Sequence, residues 1–203
     1  MTLYDHPDCP YGMKVRIVLA EKEMDCELIT VDLQAGQHRQ PEFLKLNPFG
    51  RVPVLIDEGA VIYESTIINE YIDDEYPEPP IRPVDSGERS RMRLLEDYAD
   101  TAFTLPAMAV QMELAKPAGV REEQRVRAAR DVVVKGLEML NRELEGREYL
   151  VGEFSLADVA FAPIVLQLER LGIHPDNSLR NLKAWIQRLA ARRSIASVPR
   201  LVA

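Results

Sequence analysis

Four prolines and a glycine fall within the eleven residues from Pro77 to Gly87: Pro77, Pro79, Pro80, Pro83 and Gly87. Proline removes a backbone donor, and such clusters end regular structure. The stretch therefore divides the chain into residues 1–76, a linker at 77–87, and residues 88–203. The two sides differ in character. Before the linker, short apolar runs alternate with helical spacing. Thr2 to Tyr4 opens a strand. Pro10 to Glu23, with Met13, Val15, Ile17, Val18 and Leu19, predicts a helix. Leu28 to Leu33 reads as a strand and Pro41 to Leu46 as a short helix or turn. Val52 to Ile56, the turn signal Asp57-Glu58-Gly59 and Ala60 to Tyr63 form a hairpin, and Ser65 to Tyr76 returns to helical spacing. The order is βαβαββα. After the linker no strand pattern remains. Glu88 to Leu114, Glu122 to Leu144, Ser155 to Leu171 and Leu179 to Arg193 predict an all-helical bundle. Ser155 and Asp158 are spaced as a relative of the capping box, with Phe154 and Val159 placed as a hydrophobic staple.

Composition narrows the function classes. At 203 residues, 46% apolar and 29% charged, the chain is of ordinary globular type with enough apolar side chains for a sizeable core. A net charge of −8 repels phosphate backbones and anionic bilayers, so neither a nucleic acid nor a membrane is expected as partner. Two isolated cysteines, Cys9 and Cys26, make no disulfide scaffold. No basic segment followed by an apolar stretch opens the chain, and no apolar run is long enough to span a bilayer; the expected compartment is the cytoplasm. His6, His38 and His174 match no metal-ligand spacing, so no metal site is expected. Phosphate-loop, dinucleotide and serine-hydrolase motifs are absent from the sequence.

Three constellations carry possible chemistry. In Asp8-Cys9-Pro10-Tyr11-Gly12, Cys9 follows a strand and opens a helix whose first position suits Pro10. Helix amides and the helix dipole at that point favour a thiolate, which is both nucleophile and redox thiol. Gly12 stands where a second cysteine would allow a disulfide within the loop, which leaves a mixed disulfide with an external thiol. A cysteine that only packs is the plainer alternative, and for Cys26 it is the leading one. In Asn47-Pro48-Phe49-Gly50-Arg51-Val52-Pro53-Val54-Leu55, a cis Val52–Pro53 bond would turn the Val52 backbone toward the Cys9 loop, free to pair with a peptide-like ligand; a trans proline opening a strand is the alternative. At Glu64-Ser65-Thr66, Ser65 is placed to cap a helix, and a helix start of this kind also suits a carboxylate.

In this order and spacing these segments resemble the cytosolic glutathione transferase superfamily over nearly the whole chain. Cys9-Pro10-Tyr11 is similar to the glutaredoxin and omega-class loop. Residues 47–55 resemble the omega-class Asn-Pro-Phe-Gly-x-Val-Pro-Val-Leu, Tyr63-Glu64-Ser65 resembles the family's glutamate–serine pair, and Ser155-Leu156-Ala157-Asp158 its helical N-capping motif. The resemblance implies a thioredoxin-like first domain, an all-α second domain and a homodimer. It implies glutathione as co-substrate, with a small electrophile or disulfide as second substrate. Cys9 would face the glutathione sulfur as the catalytic residue. Val52, beside cis Pro53, would pair with the cysteinyl backbone, and Glu64 and Ser65 would hold the γ-glutamyl end. Gln40 stands where the omega class has a lysine that contacts the glycyl carboxylate, so Gln40, or Arg39, would take that place. Tyr11 would join the glutathione contacts and, with the Leu94 to Met112 helix including Tyr98, Phe103 and Met108, line the second-substrate pocket.

A cysteine fits thiol transfer better than conjugation, which needs glutathione's own thiolate held by a hydroxyl or amide donor. An isomerase of the zeta type ranks last, because its serine-rich loop is missing. A second resemblance competes. Val15 to Lys22 is similar to the first helix of the stringent starvation protein A group, proteins of this fold that associate with RNA polymerase without glutathione chemistry. Tyr76-Pro77-Glu78-Pro79-Pro80 resembles their Phe-Pro-His-Pro-Pro run, with Glu78 in place of the histidine; that group also lacks the loop cysteine.

Overall fold

A computed structural model of the chain describes residues 1–198. It divides into two compact units, Met1–Pro80 with the short C-terminal helix α9 (Arg193–Ser197), and Ile81–Arg192.

The first unit carries β1 (Thr2–Asp5), α1 (Pro10–Glu21), β2 (Glu27–Thr30), α2 (Pro41–Leu44), β3 (Val54–Asp57), β4 (Ala60–Tyr63) and α3 (Ser65–Glu75). The strands form one sheet in the order β2-β1-β3-β4. β1 runs parallel to β2, with Leu3 opposite Leu28, and antiparallel to β3, with Leu3 opposite Leu55. α1 makes the crossover that a parallel pair requires. The hairpin from β3 to β4 turns through Glu58 and Gly59, both with positive φ (47° and 87°), which matches the twist of the paired strands. Leu3, Val15, Ile17, Val54, Leu55, Ile68 and Ile72 are fully buried, so α1 and α3 bury their apolar residues with those of the sheet.

Two strands differ from the sequence expectation. β2 stops at Thr30 rather than Leu33, because Asp32 enters a turn in which its Oδ1 accepts the Ala35 N–H at 2.8 Å. β3 begins at Val54 rather than Val52, since Pro53 has no N–H to give the ladder.

The second unit is helical: α4 (Ser86–Tyr98), α5 (Thr104–Leu114), α6 (Glu123–Glu143), α7 (Leu156–Val165) and α8 (Arg180–Ala191). Its core holds Trp185, Phe103 and Phe161, with the two phenylalanine rings edge to face at 5.3 Å. Where a single helix from Glu88 to Leu114 was expected, a π-turn over Ala99–Phe103 separates α4 from α5. Pro106 supplies the reason: it cannot donate to the carbonyl four residues back, so the helical ladder must widen upstream of it. α7 likewise ends at Val165, short of Leu171; it contains Pro163, and the chain turns out through Gly172 at φ 64°. Within the proline-rich stretch the Glu78–Pro79 bond is cis. Ile81 is buried, and its carbonyl accepts the Leu156 N–H at 3.1 Å.

No helix among the described residues is long and apolar enough to cross a membrane. Among the same residues no three His, Cys, Asp or Glu side chains gather to hold a metal ion.

Candidate functional site

Cys9 is the N-cap residue of α1, with Pro10 at the first helical position. Its backbone is held on both sides: its N–H donates to the His6 carbonyl and its own carbonyl accepts from Met13, each at 2.9 Å. The thiol donates to the Val52 carbonyl at 3.8 Å, and the bond from Val52 to Pro53 is cis. Of the residues singled out in the sequence, Cys9, Val52 and Pro53 are thus brought together. Val52 is half-buried and Pro53 buried. Asn47 shapes the approach to them, its Nδ2 donating to the Arg51 carbonyl at 2.8 Å while its Oδ1 accepts the Phe49 N–H at 3.0 Å.

The start of α3 is tied to α1 by Lys14, whose Nζ donates to Thr66 Oγ1 at 3.2 Å. Glu64, rather than Ser65, is the N-cap residue of α3. Glu64 is exposed and sits at φ 70°, ψ 114°, a conformation an L-residue adopts only where its surroundings impose it. Ser65 is the first helical residue and is buried. Tyr11 is half-buried, with the Lys14 ammonium 5.8 Å from its ring centre. Gln40 lies exposed at the N-cap of α2. Of the residues expected to line a second-substrate pocket, Phe103 is instead fully buried in the helical core, while Tyr98 and Met108 are half-buried.

The electrostatics of Cys9 reverse one sequence expectation. A helix N-terminus predicts an ionised thiol, but here burial pushes the thiol up to about 11. The negative charge of Asp5 adds to the rise, while the Tyr11 and Gly12 amides and Arg16 oppose it without prevailing. With the cysteine only 9% exposed, the cost of desolvating a thiolate outweighs the helix end.

Asp5 and Arg16 are charged neighbours of Cys9 that the sequence does not single out. Arg16 Nε lies 3.1 Å from Asp5 Oδ2, both side chains being buried, and Arg16 Nη2 donates to the Pro7 carbonyl at 2.9 Å. The missed signal is Gly12. Glycine in a helix costs about 1 kcal/mol relative to alanine, so its presence in the first turn points to a close approach. A Cβ built there would stand 1.7 Å from Asp5 Oδ1. Gly12→Ala is expected to lower unfolding stability by about 1–3 kcal/mol in urea titration; an unchanged midpoint would mean that Asp5 does not fill this space.

Comparison with known proteins follows the same outline. The family described as glutathione S-transferase, N-terminal domain matches residues 1–74, and that described as glutathione S-transferase, C-terminal domain matches residues 103–193. The stringent starvation protein A homologue of Coxiella burnetii is 31% identical, over 96% of this chain and 88% of its own length. Glutathione S-transferase 3 of Zea mays is 31% identical, over 98% of this chain and 95% of its own. Among solved structures, a serine-to-cysteine mutant of poplar glutathione transferase F1 superposes with a TM-score of 0.86 at 27% identity, covering 97% of this chain and 95% of that one.

Proposed function

Because the chain belongs to the glutathione S-transferase family, we propose that it binds glutathione through its first unit and uses Cys9 for glutathione-dependent thiol transfer. One observation carries this reading: the Cys9 sulfur lies 3.8 Å from the carbonyl of Val52, the residue before cis Pro53. The Val52 backbone and a thiol thus stand side by side, as the cysteinyl part of a tripeptide pairing like an added strand requires. In this proposal Val52 and Pro53 present that backbone. Glu64 and Ser65 take the γ-glutamyl end at the start of α3, where helix amides favour a carboxylate. Tyr11 flanks the sulfur, and Gln40 or Arg39 serves the glycyl end.

The chemistry balances as two exchanges. The Cys9 thiolate attacks the glutathionyl sulfur of a mixed disulfide, forming Cys9–S–S–glutathione and expelling the substrate thiolate, which takes up a proton. A second glutathione thiolate then attacks the glutathionyl sulfur of that adduct, giving oxidised glutathione and restoring the Cys9 thiolate. With the free thiol raised to about 11, the ionised fraction at neutral pH is on the order of one in ten thousand. The rate is therefore expected to climb as pH rises through the neutral and mildly alkaline range.

The test is intact-protein mass spectrometry after incubation with oxidised glutathione at alkaline pH. One glutathionyl adduct is expected on the wild type and on Cys26→Ala, and none on Cys9→Ala. An equal adduct on Cys9→Ala would mean that the nucleophile is misassigned. Both cysteines are free, which supports placement in a reducing compartment such as the cytoplasm. A homodimer belongs to the same proposal and is read by sedimentation equilibrium.

A second reading has an observation of its own. The raised Cys9 thiol and the exposure of Pro77, Glu78, Pro79 and Pro80 favour a non-catalytic, RNA polymerase-associated protein of the stringent starvation protein A type. Retention on immobilised glutathione separates the two, being expected for the first and not for the second.

A further inference from the structure

We propose that Asp5 is an electrostatic brake on Cys9: its buried carboxylate, lodged under the first turn of α1 in the space Gly12 leaves, adds to what burial already does and makes the sulfur harder to ionise while it is charged than when it is neutral. Asp5 ends β1 and is held there by the Val31 N–H, which donates to its carbonyl at 2.8 Å. Only 6% of the residue is exposed. Its Oδ2 faces Arg16, but its Oδ1, the atom nearest Gly12, has no hydrogen-bond partner. A charge half-compensated in this way, in a medium far less polarisable than water, acts strongly on the groups packed around it, and the Cys9 thiol at the head of the same helix turn is among those it acts on.

The geometry also fixes the kind of influence. The Cys9 thiol donates to the Val52 carbonyl and not to Asp5. Asp5 is therefore not placed to receive the thiol proton, and it works through its charge as a positioning residue. The groups facing the pair are Arg16 from α1, His6 from the β1–α1 loop, and the amides of Tyr11 and Gly12; the β2 residue opposite Asp5 is the uncharged Thr30. Burial raises the Asp5 carboxyl to about 6 against the pull of Arg16, so the brake is applied at neutral pH and lifts in mildly acidic solution. The acidity of the thiol then differs on the two sides of that titration. Thiolate reactivity rises with pH on both sides but flattens where Asp5 loses its proton and the brake comes on.

The inference rests on Cys9 being the reacting thiol of the proposed function, and its test does not use glutathione. Alkylation of Cys9 by iodoacetamide is followed by intact mass in a Cys26→Ala background. In the wild type, the logarithm of the rate plotted against pH is expected to flatten between about pH 5 and 7. In Asp5→Asn the plot rises at constant slope, and the rate in mildly alkaline buffer is about tenfold higher. His6→Gln is expected to keep the wild-type inflection.

A straight wild-type profile overturns the proposal, and that measurement stands even if Asp5→Asn does not fold. So does an Asp5→Asn rate within about twofold of wild type. A slower Asp5→Asn also overturns it, by making the carboxylate a proton acceptor. Faster alkylation with no glutathionyl adduct in the earlier experiment would leave the brake standing and remove the thiol-transfer reading.

Discussion

Replacing Lys22 by methionine is expected to lower the unfolding free energy by about 3–5 kcal/mol, although the two side chains are of similar bulk. Lys22 follows the last turn of α1, and its side chain is wholly buried. Its Nζ lies 2.6 Å from Asp73 Oδ1 in α3. It also donates to the carbonyls of Tyr76 at 2.6 Å and Pro79 at 2.8 Å. One ammonium therefore joins α1, α3 and the segment that contains the second cis proline. Methionine fills the space but leaves the buried Asp73 carboxylate without this counter-charge, and two carbonyls lose a donor. Urea denaturation measures the loss. The double variant Lys22→Met, Asp73→Leu is expected to recover part of it, because the carboxylate that lost this counter-charge goes too. A single-variant loss below about 1 kcal/mol would show that Lys22 does not hold this junction.

Asp158→Ala is expected to be as damaging in the helical unit. The carboxylate accepts four hydrogen bonds: from Trp185 Nε1 at 2.8 Å and the Leu150 N–H at 3.1 Å on Oδ1, and from the Ser155 N–H at 3.0 Å and Ser155 Oγ at 3.1 Å on Oδ2. Alanine leaves the amides and the indole N–H buried with nothing to accept from them. Each such orphan costs about 1–3 kcal/mol, so a loss of at least about 3 kcal/mol follows. In a chain of this length that corresponds to a melting temperature lower by about 10 °C. Asp158→Asn keeps one carbonyl acceptor and is expected to lose less. If the alanine and asparagine variants melt together at the wild-type temperature, the network does not hold the unit.

The two networks were not equally legible. Ser155 and Asp158 stand three apart before an apolar run, and that spacing alone announced a capping box, whose Asp158-to-Ser155 half is present. What the spacing did not carry is that Trp185, 27 residues further on, meets the same carboxylate. Lys22 stands near the end of the helical run from Pro10 to Glu23, a position where lysine is ordinarily solvated; its burial depends on α3 and residues 76–79 closing over it.

Cys9 shows the same division. Its place between a strand and a proline-started helix is local information, and the structure repeats it. Its protonation is not local. The helix end favours the thiolate by an amount the sequence implies, but burial and the Asp5 charge, both consequences of packing, act the other way and prevail.

The order βαβαββα, the helical second half, the hairpin at Glu58-Gly59, the cap at Ser155 and the cysteine at a helix start were determined by the sequence itself. Each depends on periodicity or turn chemistry among residues within a few positions of one another. Only the tertiary structure decided which charges are buried and what faces them: Asp5 beneath Gly12, Lys22 between two helices and a proline loop, and the acidity of Cys9. It also decided the isomers of Pro53 and Pro79 and the π-turn ahead of Pro106. These depend on desolvation and on partners brought together across the fold, and the strength of a buried charge is set by the medium and the groups around it rather than by its neighbours along the chain.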